Sequence, residues 1–139
     1  MTKIALAPFV LAAAMAVAGP ARAEMLKATL DGKSEVPATT STGTGTASLD
    51  YDPATKKLSW KLTYSGLTGP ATAAHFHGPA EPGKTAGVAV AIPNATSSPA
   101  EGSATLTEAQ AADLEAGKYY INVHTAANPS GEIRGQVTK

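Results

Sequence analysis

Between residues 57 and 64 the chain alternates strictly. Leu58, Trp60, Leu62 and Tyr64 are interleaved with Lys57, Ser59, Lys61 and Thr63. Successive side chains of a strand point to opposite faces, so this pattern describes a β-strand with one face in a core and the other in water. A helix would scatter the same apolar residues around its circumference. Such a strand needs partners, and the neighbouring segments supply them. Asp52-Pro53-Ala54-Thr55 reads as a turn, with proline presetting its dihedral. Residues 45–51 before it read as the other arm of a hairpin with 57–64. Further strands are expected over residues 25–31, 71–77, 88–92, 118–125 and 132–138. One helix is expected: Thr107 and Gln110 are spaced as a capping box, and Gly117 can end the helix. Short antiparallel strands joined by Gly- and Pro-rich turns predict an all-β fold. The expected architecture is an antiparallel β-sandwich, immunoglobulin-like or superoxide-dismutase-like in its two-sheet layout, with one short helix.

The first residues follow a different logic. Lys3 precedes an apolar run over residues 4–18, and Ala21-Arg22-Ala23 closes the segment with a small-x-small pattern. This is the pattern of a secretory signal peptide over residues 1–23, leaving 24–139 as the folded domain. The run is about 15 residues long, short of the roughly 20 that span a bilayer, and no later stretch matches it, so no membrane span is expected after cleavage. A periplasmic or secreted location follows as an expectation.

Composition narrows the chemistry. Eleven basic and eleven acidic side chains give a formal net charge of zero. That balance argues against nucleic acid as a partner, because phosphate binding needs a basic surface. With no cysteine, disulfides, thiolate metal sites, iron–sulfur clusters and thiol catalysis are excluded. Leu, Ile, Val and Phe make up only about 15% of residues 24–139, below the roughly 20% at which disorder becomes a concern, but the disorder signature also needs a high net charge, which is absent. Alanine, Trp60 and the tyrosines must fill the remaining volume, and a bound metal could add to stability.

The histidines carry the functional signal. There are three, His75, His77 and His124. His75 and His77 stand two apart on an expected strand and share a face, while Phe76 takes the core side. On 118–125, Tyr119, Ile121 and Val123 form the apolar face, leaving Tyr120, Asn122 and His124 on the other. On the last strand Ile133 and Val137 face inward, and Glu132, Arg134 and Gln136 outward. If these strands are neighbours, three imidazoles meet on one polar face beside Asn122, Glu132 and Arg134. Imidazole suits copper and zinc, and three protein ligands leave an open coordination position. The expected metal ligands are therefore His75, His77 and His124, for a copper or zinc ion. Asn122, Glu132 and Arg134 are expected to support the ligands or to bind an anion; for Arg134 the plainer expectation is an ion pair with Glu132 or another acid. Three surface histidines with no ligand are the plainer reading of the cluster itself. Asn128-Pro129-Ser130-Gly131 reads as the hairpin between the last two strands. Asn94-Ala95-Thr96 matches a glycosylation acceptor, which the bacterial style of the leader makes accidental.

Two segments resemble a known family. Ala74-His75-Phe76-His77-Gly78-Pro79-Ala80 resembles the central motif of the CHRD domain, named for chordin. Residues 120–125, with Asn128-Pro129 and 131–136, resemble its C-terminal signature, and the resemblance runs over about residues 26–138. It implies an extracellular β-rich module and assigns no chemistry to single-domain bacterial members. Chordin's growth-factor role is not implied, because the cysteine-rich partner domains are missing.

Two classes of function are then open. The first is a metal-binding protein for storage, delivery or redox chemistry. Cu/Zn superoxide dismutase offers a loose geometric analogy, with its own His-x-His strand. This chain departs from it in having three histidines rather than four copper ligands, no cysteine pair and no histidine-rich zinc loop. The second is a non-catalytic module that recognises a protein, a glycan or an envelope partner through the same polar face. No nucleophile or acid pair for hydrolysis can be picked out.

Overall fold

The computed structural model describes residues 8, 12, 13 and 22–139. The expected signal segment therefore lies almost wholly outside the described residues. The domain is built from β1 (Glu24–Asp31), β2 (Thr44–Asp52), β3 (Lys57–Ser65), β4 (Ala71–His77), β5 (Val88–Ile92), β6 (Ala100–Thr105), α1 (Glu108–Glu115), β7 (Tyr120–Thr125) and β8 (Ile133–Gln136). The pairings within the sheet are antiparallel. Most expected elements stand within a residue or two of their expected bounds.

Hydrogen bonding runs through all eight strands in the order β5-β4-β7-β8-β1-β2-β3-β6. The two layers expected of a sandwich are thus the two halves of one sheet. It curls until its edge strands β5 and β6 touch, nearly closing a barrel. Closure of this kind protects edges that would otherwise pair with other chains.

The alternation in 57–64 does what it predicts. Leu58, Trp60 and Leu62 are buried while Lys57 and Lys61 are exposed. Trp60 meets Phe76 edge-on, with ring centroids 5.1 Å apart, so the first half of the barrel closes on the strand that carries two histidines. Tyr119, Ile121, Val123, Ile133 and Val137 fill the same core.

The sequence reading missed β6. Its sequence, AEGSAT, has no large apolar residue. The reason is Trp60: a Cβ on Gly102 would lie 2.8 Å from the indole Cζ2. The indole occupies the space that side chains of β6 would otherwise fill. The helix begins as expected. The Thr107 side chain accepts from the Gln110 N–H, and the Gln110 side chain accepts from the Thr107 N–H. Gly117, at φ +74°, follows its end.

Candidate metal centre

The topology settles the assumption on which the histidine cluster depends. β4 and β7 are neighbours, with His75 opposite Asn122 and Ala73 opposite His124. β7 in turn pairs with β8, placing Asn122 opposite Arg134. The three histidines, Asn122 and Arg134 therefore come from adjacent strands.

That face is not an open surface. The segment between β4 and β5 lies over it, and its main chain supplies the acceptors. Ala86 O faces His77 Nδ1 at 3.0 Å and accepts from the Tyr120 hydroxyl at 3.1 Å. Ala80 O accepts from Gln136 Nε2 at 3.0 Å, and Lys84 O accepts from Arg134 Nη2. Glu35, on the loop after β1, covers the other side and accepts from Asn122 Nδ2 at 3.3 Å. His77, Tyr120, Asn122, Arg134 and Glu35 are all buried, whereas His75 and His124 stay partly open to solvent. Buried polar groups need partners, and this face has them.

The histidine nitrogens converge. His75 Nδ1 and His124 Nε2 stand 3.1 Å apart, and His75, His77 and His124 can each offer a ring nitrogen such that the three lie within 4.8 Å of one another. Two imidazole nitrogens bound to one ion at about 2.0–2.1 Å stand about 3 Å apart, so the His75–His124 pair already has ligand spacing. The outer nitrogens are braced: His124 Nδ1 faces Pro129 O at 2.9 Å, as His77 Nδ1 faces Ala86 O. At His124 the carbonyl on Nδ1 fixes the tautomer that leaves Nε2 its lone pair. The Asn128–Gly131 turn thus joins β7 to β8 and also holds the His124 ring. Burial, then the nearby His124 and His77 rings, lower the pKa of His75 below that of an ordinary imidazole. Its neutral form persists to lower pH.

The supporting residues differ from expectation in instructive ways. Asn122 does touch the cluster: its Oδ1 lies 2.9 Å from His77 Nε2. Arg134 makes no ion pair with a carboxylate among the described residues. Its guanidinium carbon sits 3.4 Å from the centre of the Tyr120 ring, and that ring stacks flat on His77 at 4.8 Å. Arg134 is buried, and the aromatic face stands in for the expected acid. Glu132 is not beside the histidines. Pairing of β8 with β7 starts at Ile133, after Gly131 at φ +125°, so the strand alternation does not extend back to Glu132. Its carboxylate accepts instead from Ser41 Oγ, Thr68, Thr125 Oγ1 and Asn128 Nδ2. It ties three loops to the end of β7.

Glu35 was missed. It lies in a short loop, far from any histidine in sequence, and only folding carries it over Asn122. The one available hint was a glycine: a Cβ on Gly131 would lie 2.2 Å from Glu35 Oε1 and 2.7 Å from Asn122 Nδ2.

The site and fold together define a small, nearly closed β-barrel with a three-histidine centre under a loop roof. The family model of the CHRD domain matches residues 26–137, and the chain belongs to that family. No curated protein and no solved structure matches it. Among the described residues, no helix is long and apolar enough to cross a membrane.

Proposed function

We propose that this CHRD domain binds one transition-metal ion, copper or zinc, through His75, His77 and His124, in a secreted or periplasmic protein. One observation carries the reading: imidazole nitrogens from two adjacent strands are held 3.1 Å apart with a third histidine beside them. The donor set fits the ion. It consists of borderline nitrogen ligands, with no thiolate and no carboxylate in the group. The location rests on the leader pattern of residues 1–23.

The chain's own residues do the holding. His75 and His124 offer the partly open side by which an ion enters, and His77 completes the set from the buried side. Pro129 O and Ala86 O orient two of the rings. Bound there, a copper ion would supply redox chemistry and a zinc ion Lewis acidity.

Calorimetry with zinc and with copper on the chelator-stripped protein, beside His75→Ala, His77→Ala and His124→Ala, tests this. One-to-one binding that each substitution weakens supports it. Absent binding, or binding indifferent to all three substitutions, rejects it.

A recognition role is the second reading, favoured by a separate observation. A cleft of about 410 Å³ lies between loop 35–40 and loop 127–131, lined by Glu35, Pro37, Thr39, Asn128 and Ser130 among others. Its size suits a small polar ligand or a partner's loop. Retention of a protein or glycan in the presence of chelator would favour this reading.

A further inference from the structure

We infer that Arg134 anchors a second site, apart from the histidines, that takes a small monocarboxylate. The starting point is an uncompensated charge. Arg134 is 3% exposed, and among the described residues no carboxylate lies within ion-pair distance of it. A buried cation without a counter-charge is costly. The Tyr120 face and the Lys84 carbonyl offset part of that cost and bring no negative charge.

The guanidinium also has donors to spare. It carries five N–H groups, and one side-chain hydrogen bond from it is found, to Lys84 O. The other nitrogens are not sealed in. Among the described residues, the buried side-chain nitrogens and oxygens that lack a partner are Glu24 Oε2, Trp60 Nε1 and the Tyr119 hydroxyl, and none belongs to Arg134. The spare donors therefore open onto space that a small group can reach.

That space is a cavity of about 240 Å³ lined by Arg134, Lys33, Ser34, Glu35 and Gly83, among others. No histidine lines it, and β8, which carries Arg134, lies beyond β7 from β4. The acids nearby are already engaged. Asp31, opposite Arg134 in the β1–β8 register, accepts from the Ser34 N–H at 2.8 Å. Glu35 accepts from Asn122 Nδ2 at 3.3 Å and from the Val36 N–H at 3.1 Å. Lys33 and Arg134 against Glu35 leave one positive charge over on the lining, which suits a singly charged guest. The planar fork of arginine matches a carboxylate. The volume falls below the roughly 300 Å³ at which sites for drug-sized ligands begin, so the guest is small.

The test uses no metal and so stands apart from the metal-binding reading. Sodium acetate is titrated at pH 7 into the nitrogen-15-labelled protein, with ionic strength held constant by sodium chloride. Saturable shifts are expected at the amides of Lys33, Ser34 and Gly83 and at Arg134 Nε–H. Arg134→Lys keeps the charge and loses the fork, and should bind acetate about tenfold more weakly. Lys33→Gln, at an exposed position, should weaken binding about two- to fivefold, and it keeps the test alive should Arg134→Lys not fold. Shifts that never saturate, or a saturable response indifferent to the substitutions, overturn the site. Tighter binding of inorganic phosphate, mostly a dianion at pH 7, overturns the monocarboxylate assignment.

Discussion

Burial alone would make Glu132 a weaker acid, yet hydrogen bonds from Thr68, Thr125 and Ser41 outweigh it and bring its pKa to about 2. A carboxylate depressed in the folded state contributes stability that is present above its unfolded pKa, near 4.5, and lost as pH falls towards about 2. Urea unfolding followed from pH 7 to pH 2 should show stability declining across that window. Glu132→Gln should be less stable at neutral pH and show a shallower decline. A second residue-scale prediction concerns Gly131, which combines φ +125° with no room for a Cβ. Gly131→Ala should cost about 1–3 kcal/mol in the same assay. It should also disturb metal binding, because it pushes on Glu35 and Asn122.

At the scale of elements, legibility followed packing. β3, β4 and β5 were readable because their core faces carry Leu58, Trp60, Phe76 and Ile92 in phase. β6 was unreadable because its partner's indole does the filling, which leaves glycine and alanine where apolar bulk would have marked a strand. That assignment is testable: Gly102→Val should overpack against Trp60, cost about 1–3 kcal/mol and shift the tryptophan fluorescence. The histidines could be placed on one face from strand alternation alone, since that property survives small errors in strand ends. Glu132 could not, because alternation stops being a guide one residue outside the ladder. Arg134 was placed correctly but given the wrong partner. An aromatic ring two residues before Asn122 is as good a neighbour for a buried guanidinium as a carboxylate, and sequence spacing does not rank the two. The roof over the site was also unreadable. It bonds through main-chain carbonyls of residues 80, 84 and 86, which carry no side-chain signature.

For the whole molecule, one sheet bonded in eight strands brings residues from the middle and the C-terminal end of the sequence to a common centre. β4 supplies two imidazoles, β7 the third and Asn122, and β8 Arg134. The core is stapled by no disulfide. An ion that binds only the folded form therefore should add visibly to stability: about 2.7 kcal/mol at a hundredfold excess over Kd. Thermal unfolding should shift upward with zinc or copper, return with chelator, and lose the shift in His124→Ala. The most direct measurement is X-ray absorption at the metal edge of the loaded protein, which counts ligands around the ion. Three imidazole nitrogens at about 2.0–2.1 Å are expected for zinc. Oxygen ligands alone, or a shell unchanged by substituting any of His75, His77 and His124, would contradict a three-histidine centre.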